Sequence, residues 1–268
     1  MTDLAALMTE LRPALHRYAA RMTGSIIDGE DIVQDTFAKA LASHSPAIEN
    51  PRGWLFRIAH NAALDLLRRH GRTDEELADM EDPRTPADHA LATRAALRVF
   101  MQLPVAQRQV VILMDVLGHS LEDIAAITDR SISSIKAALH RGRETLKGLV
   151  AADRIPTLDP PTDVRLLAYI DRFNAHDWDA VREMLAEDVH LELVARHDMR
   201  GKQVNNYFSN YETRTDWHLT AGHIDGKPAV IVVEPGTDRM IYFVLLGWNA
   251  EGKLVTMRDF RYARYVVD

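Results

Sequence analysis

The chain has 268 residues, is 47% hydrophobic and 26% charged, and carries a formal net charge of −7; this is the composition of an ordinary globular protein of one or two domains. It contains no cysteine, which excludes disulfides, thiolate zinc sites and cysteine nucleophiles and fits a reducing cytoplasm. An acidic chain attracts DNA phosphates poorly by itself, so any DNA reading would need a partner to deliver it.

Leu4, Leu7, Leu11, Leu15, Tyr18 and Met22 recur at helical spacing and predict a helix over residues 3–22. The same start carries acids and lacks the basic and apolar regions of a signal peptide. No apolar run reaches the length of about 18 residues that a membrane span needs. "TGSIIDGE" is expected to break the first helix. A second follows over residues 29–42, with Ile32, Val33, Phe37, Ala40 and Leu41 on one side. "SHSPAIENP" reads as a loop, and Pro51 opens a third helix, where its missing N–H is harmless.

Residues 73–95 sum to a charge of about −5 and hold two prolines. They read as a flexible linker running into a helix. "HALATRAALRVFMQL" is expected to be helical up to Pro104, and "VAQRQVVILMDVL" is a strongly apolar helix closed by Gly118. In "SLEDIAAITDRSISSIKAALHRGRETLK", Leu121, Ile124 and Ile127 form one apolar stripe, and Ile132, Ile135, Leu139 and Leu146 form another. Ser120 and Ser131 are candidate caps, and Asp129 sits at a turn where left-handed backbone is expected. Two helices joined in this way place the second against a DNA groove, or else form a plain helical hairpin with a solvated basic face.

Beyond the proline-rich segment 153–162 the texture changes. Residues 163–187 predict a helical pair broken around "NAHDWD". Strand signals then recur in "HLELVAR", "WHLTAGHI", "PAVIVVE", "MIYFVLLGWN" and "LVTMRDFRYARYVV", separated by turns. The expected architecture is multidomain, all-α to about residue 152 and α+β after it.

Three segments carry a family resemblance. "LPVAQRQVVILMDVLGHSLEDIAAITDRSISSIKAALHRGRETLKGL" resembles region 4 of the extracytoplasmic-function (ECF) sigma factors of bacterial RNA polymerase. "DGEDIVQDTFAKAL" resembles their region 2.2, and "NPRGWLFRIAHNAALDLLRRHGR" their regions 2.3 and 2.4. The resemblance implies a region 2 bundle over residues 1–72 and a region 4 helix-turn-helix over residues 96–152. It implies a cytoplasmic, non-enzymatic protein that needs no cofactor or metal and has core RNA polymerase and promoter DNA as partners. Asp28, Glu30, Asp31, Gln34 and Asp35, with Phe37 beneath, would dock on the β′ coiled coil, while region 4 would meet the β flap. Taken alone, that acidic helix is either a surface for a basic partner or an ordinary solvated face.

Arg57, His60, Asn61, Arg68 and Arg69 would engage the −10 element, among Arg52, Arg72, Trp54 and Phe56. Basic side chains hold a single-stranded backbone, and aromatic or polar ones receive an unstacked base. Trp54 and Phe56 also read as core. Ser131, Ser133, Ser134, Lys136, His140, Arg141 and Arg143 would face the −35 element. Asp129 and Arg130 depart from the family's glycine and apolar residue, and Ala138 from its longer polar side chain, so direct base reading is expected to be weak.

"VRLLAYIDRFNAHDWDAVREMLAEDVHLELVARHDMRGK" resembles the opening of a SnoaL-like (NTF2-like) domain, here residues 163–268. That resemblance implies a helix-lined cone around a curved sheet, acting as a built-in regulator through contact with the sigma domains. "HDMRGK" replaces the family's glycine-rich segment. Cones of this kind also host enzymes and small-molecule sites. His190, Glu192, His197, Asp198, His218, His223 and Asp259 are the candidate bases, with Trp217, Tyr242 and Trp248 as pocket walls. No pair stands at a spacing that demands catalysis.

Overall fold

The computed structural model describes residues 4–43, 48–70, 92, 95–153, 161–209, 211, 217–237 and 239–267. Two compact units make up the chain, Met1–Ile155 and Pro156–Asp268. The acidic segment 73–95 and the proline-rich segment 153–162 fall largely outside the described residues, as does Arg72. Among the described residues no helix is long and apolar enough to cross a membrane.

The first unit is all helical. Helix α1 (Leu4–Thr23) buries Leu7, Leu11, Leu15, Tyr18 and Met22. Helix α2 (Ile26–Ser43) starts earlier than its apolar pattern suggested. Gly24, with φ +78°, reverses the chain, and the Ser25 hydroxyl accepts the Asp28 N–H at 2.9 Å, so two residues suffice for the turn. Gly29 lies inside α2 and serves packing: a Cβ there would sit 2.9 Å from Ala20 Cβ, so its absence lets α1 and α2 approach closely. Helix α3 (Pro51–Arg69) is capped by Asn50, whose Oδ1 accepts the Gly53 N–H at 2.9 Å.

Of the long helix expected over residues 89–103, the described residues show Ala92 as helical and one turn, α4 (Leu97–Phe100). Helix α5 (Val105–Val111) widens into a π-helical turn at Ile112–Val116, and all of these residues are buried. Helix α6 (Leu121–Thr128) opens on a reciprocal cap: Ser120 Oγ accepts the Asp123 N–H at 3.0 Å, and Asp123 Oδ2 accepts the Ser120 N–H at 3.1 Å. Asp129 takes the left-handed conformation, φ 56° and ψ 39°, and leads into α7 (Ile132–Ala152).

One apolar core runs from α1 to α7. Buried Arg108 ties the end of α1 to the turn before α5. Its Nη1 donates to the Met22 carbonyl at 2.6 Å, and its Nη2 donates to the carbonyls of Leu103 at 2.9 Å and Met101 at 3.2 Å. Those carbonyls lie at the end of α1 and in the turn before Pro104, where helix geometry leaves acceptors without helical partners.

The second unit is α+β. Helices α8 (Val164–Asn174) and α9 (Trp178–Glu183) are capped by Asp163 and Asp177. Six strands follow: β1 (Leu185–Leu193), β2 (His197–Arg200), β3 (His218–Ile224), β4 (Lys227–Val233), β5 (Met240–Trp248) and β6 (Leu254–Asp259). Their order is β2-β1-β6-β5-β4-β3. The β1–β6 pair is parallel and the others are antiparallel. Leu166, Tyr169, Ile170 and Phe173 of α8 share a core with Val230, Val232, Tyr242 and Val244 of the sheet. The Asn174 amide fastens α8 to β3, donating to the Leu219 carbonyl at 2.9 Å and accepting its N–H at 3.0 Å.

The sequence pattern missed two elements, β2 and a short helix, α10 (Asn205–Ser209). It also carried the last strand too far. Strand β6 stops at Asp259, whose Oδ1 accepts the Arg261 N–H at 2.8 Å and turns the chain. A 3-10 turn at Arg264–Val266 follows. Apolar alternation alone does not register a side chain that competes for backbone donors.

Candidate nucleic-acid interface

On α2, Asp31 and Asp35 are exposed, and Asp28 and Gln34 are half-buried. Spacings of three and four residues put Asp28, Asp31 and Asp35 on one face. Glu30 is placed otherwise: it is fully buried and accepts from Arg12 Nη1 at 2.7 Å. The same guanidinium lies 5.1 Å from the Phe37 ring centre, so Glu30, Arg12 and Phe37 form an internal support beneath the acidic face. A buried carboxylate needs such a partner.

On α3, Arg57, Asn61, Arg68 and Arg69 are exposed. Arg68 pairs with Asp65 at 2.8 Å, and Arg52 pairs with Glu10 at 2.6 Å, both at the surface. His60 is not displayed with them. It is buried, with Nδ1 2.7 Å from Tyr18 Oη. Burial, with Arg130 and Arg68 adding to it, lowers its pKa to about 4, so it is a neutral core residue. Phe56 is also core and meets the His119 ring edge-on at 4.6 Å. That contact comes from the segment leading into α6, which covers this side of α3. The sequence could not separate His60 from Asn61 by residue type. Helical phase does so, because adjacent residues stand about 100° apart.

Trp54, which read as core, is half-buried. With Lys39, Ala42, Ser43, Ile58 and Asn61 it lines a cavity of about 480 Å3. An aromatic wall, an amide on the rim and a lysine make a surface able to hold a planar polar group beside a phosphate. Lys39 was not among the expected site residues, since only the fold brings the last turns of α2 to the first turns of α3.

On α7, Ser131 caps the helix by accepting the Ser134 N–H at 3.2 Å, and its hydroxyl lies 3.1 Å from that of Ser133. Ser131 and Ser133 are exposed, and Ser134, Lys136, His140 and Arg141 are half-buried. Arg141 Nε and Nη2 are shielded and have no hydrogen-bond partner among the described residues. Arg143 departs from the expected surface. It is buried and grips Asp115 with Nε at 2.8 Å and Nη2 at 2.6 Å. Two residues along a helix is a turn of roughly 200°, so Arg141 and Arg143 cannot share a face.

In the second unit the acid–base candidates are scattered. His190 Nε2 lies 3.2 Å from Asp198 across β1 and β2, and Glu192 pairs with Arg258 at 2.7 Å. His197 and His218 are exposed, and His223 is half-buried. Arg165 lies over Trp248 at 5.6 Å. Asp259 is fully buried, and burial raises its pKa against the pull of its hydrogen bonds. Tyr207 Oη donates to it at 2.8 Å, and Tyr211 Oη lies 3.1 Å from Tyr207 Oη and 3.3 Å from Tyr242 Oη. No candidate histidine belongs to this chain of hydroxyls. Tyr207, Tyr211 and Arg261 were missed by sequence reasoning, and the tyrosine-rich "NYFSNY" was the available signal.

Comparisons with known proteins follow the same division. Residues 7–73 match Sigma-70 region 2, and residues 93–146 match Sigma-70 region 4. The ECF RNA polymerase sigma factor SigG of Mycobacterium tuberculosis is 28% identical over 226 residues, 71% of this chain and 61% of its own length. An alignment of that coverage cannot be contained in the first unit and must enter the second. The ECF RNA polymerase sigma factor EcfG of Rhodopseudomonas palustris is 32% identical over 164 residues, 57% of this chain and 88% of its own length. The solved structure of the extracytoplasmic function sigma factor SigJ of Mycobacterium tuberculosis is 22% identical, with 96% of this chain and 95% of that chain covered and a TM-score of 0.40. The chain spans about three fifths of the length of the first two curated relatives it matches. With both region matches in order on one helical unit, and most of EcfG covered at that identity, the chain belongs to the family of ECF RNA polymerase sigma factors.

Proposed function

We propose that this chain binds core RNA polymerase in the cytoplasm, recognises a promoter through its −35 and −10 elements and opens it. The carrying observation is the exposed acidic face of α2 beside a basic, amide-bearing α3 in one helical unit. Asp28, Asp31, Gln34 and Asp35 are the docking face, offered to the β′ coiled coil. Region 4 meets the β flap. Arg57, Asn61, Arg68 and Arg69 follow the −10 strand, with the Trp54–Asn61 cavity receiving an unstacked base. Ser131, Ser133, Ser134, Lys136, His140 and Arg141 face the −35 element, and polymerase supplies the affinity that a net acidic chain lacks. Glu30, His60 and Arg143 act as supports.

The test is co-purification of the full chain with core polymerase. The double variant Asp31→Ala/Asp35→Ala is expected to bind at least about tenfold more weakly, in line with the loss of two charge-assisted contacts. Undiminished binding would overturn this docking face.

The second unit is read as an NTF2-like cone that sets the activity of the first. Its helix pair packed on a mixed six-stranded sheet supports the fold, and the SigG alignment supports its recurrence beside sigma regions. Run-off transcription should differ between the full chain and one ending near Pro156. Equal activity would sink this reading.

A further inference from the structure

We propose that the second unit contains a binding site for a small organic carboxylate with an apolar or aromatic body. The site is a half-open cavity of about 780 Å3 whose lining includes Trp217, Val232, Ile241, Tyr242, Arg261 and Arg264. It lies beside the core of the cone: Tyr169, Phe173, Tyr207, Phe208 and Tyr211 fill the space under the sheet and are all buried. The cavity therefore sits at the rim, where β4 and β5 meet the turn after β6.

Two side chains there have donor groups left without an acceptor among the described residues. Trp217 is 8% exposed, and its Nε1–H has no hydrogen-bond partner among the described residues. A buried indole N–H normally finds an acceptor, and here it belongs to a residue that lines a cavity. Arg261 is the second. Its Nε donates to Tyr242 Oη at 3.3 Å, and its guanidinium carbon lies 4.5 Å from the Tyr211 ring centre and 5.6 Å from that of Tyr242. Those contacts fix the plane of the fork and leave its terminal nitrogens without a protein hydrogen-bond partner among the described residues. A fixed planar fork matches a carboxylate through two parallel N–H bonds.

The charges agree with an anion. Arg261 and Arg264 line the cavity, and the one acid on its wall among the described residues, Glu234, lies 3.7 Å from Arg239. Asp259 stays behind the tyrosines, held by Tyr207 Oη at 2.8 Å and the Arg261 backbone N–H at 2.8 Å, and is not part of the wall. The remaining wall, Val232, Pro235 and Ile241 with Tyr262 and Tyr265, is apolar and aromatic, which suits the body of such an acid better than a bare inorganic anion.

The test uses the full chain, 15N-labelled at tryptophan, titrated with benzoate, benzamide and inorganic phosphate. The Trp217 indole N–H signal is assigned by its loss in Trp217→Phe. Benzoate is expected to move that signal saturably, with benzamide at least about tenfold weaker, since a hydrogen bond to a charged group is the stronger kind. Arg261→Lys should weaken benzoate binding by a similar factor. Trp217→Phe, which keeps the ring, should weaken it by a few-fold in calorimetry. The proposal is overturned if benzoate leaves the Trp217 signal unmoved, if benzamide binds equally well, or if phosphate alone saturates the site.

Discussion

Arg143 grips Asp115 in the first unit, each with a side chain 4% exposed, through hydrogen bonds of 2.8 and 2.6 Å. The pair fastens α7 to the π-helical turn after α5. Removing the guanidinium strands the Asp115 carboxylate in the core, which costs about 3–5 kcal/mol. Arg143→Ala should therefore lower the unfolding free energy of the full chain, read from urea titration, by that amount. Arg143→Met/Asp115→Leu should recover most of it, because both charges are then gone. A variant that loses promoter binding at unchanged stability would instead place Arg143 on DNA.

The burial of His60, with Arg130 and Arg68 adding to it, gives the unit a sensitivity to acid. The folded pKa of His60, about 4, lies below the ordinary 6.5. The unfolded chain thus takes up a proton that the folded chain refuses. Stability from this residue is whole above pH 6.5 and is lost progressively as pH falls from 6.5 to about 4. Between pH 7 and pH 5 the loss is about 2 kcal/mol. Urea titrations at the two pH values should show it, and His60→Gln should flatten the difference relative to the parent chain.

Asp129 holds a backbone conformation, φ 56°, that suits glycine best. Asp129→Gly is expected to raise stability by about 0.5 kcal/mol, and Asp129→Val to lower it by about 1–2 kcal/mol. Both can be read from denaturation midpoints. If valine were tolerated without cost, the turn would not constrain the helix pair.

The cavity lined by Trp54 and Asn61 makes a kinetic prediction. In run-off transcription, Asn61→Ala should slow open-complex formation about tenfold while leaving polymerase binding unchanged, corresponding to one lost polar contact to a base of about 1–3 kcal/mol. Equal loss of polymerase binding would show that α3 supports docking instead.

Much of this fold was legible because its elements obey simple periodicities. The caps at Ser120 and Ser131 act locally, and local chemistry is what a sequence displays. The Asp129 turn was readable for the same reason. Gly29 was less so: it resembles a helix breaker, yet it sits where α1 presses on α2, and only the crossing explains it. Among the site residues, type alone grouped His60 with Asn61 and Arg141 with Arg143. The structure separates each pair by helical phase, and phase is fixed by the core on the other side. The Arg261–Tyr242–Tyr211 arrangement joins three distant segments, and its one local sign was the tyrosine-rich "NYFSNY".

The parallel pairing of β1 with β6 has a consequence for the order of synthesis. Leu185 lies opposite Leu254, and Leu193 opposite Asp259. As the chain leaves the ribosome, β1 can pair with β2 at once, but its other edge waits for about sixty more residues. At ordinary elongation rates that is a delay of several seconds. Helices α1 to α7 are complete long before. A newly made molecule therefore passes through an interval in which its helical unit is finished and its sheet is still open on one side.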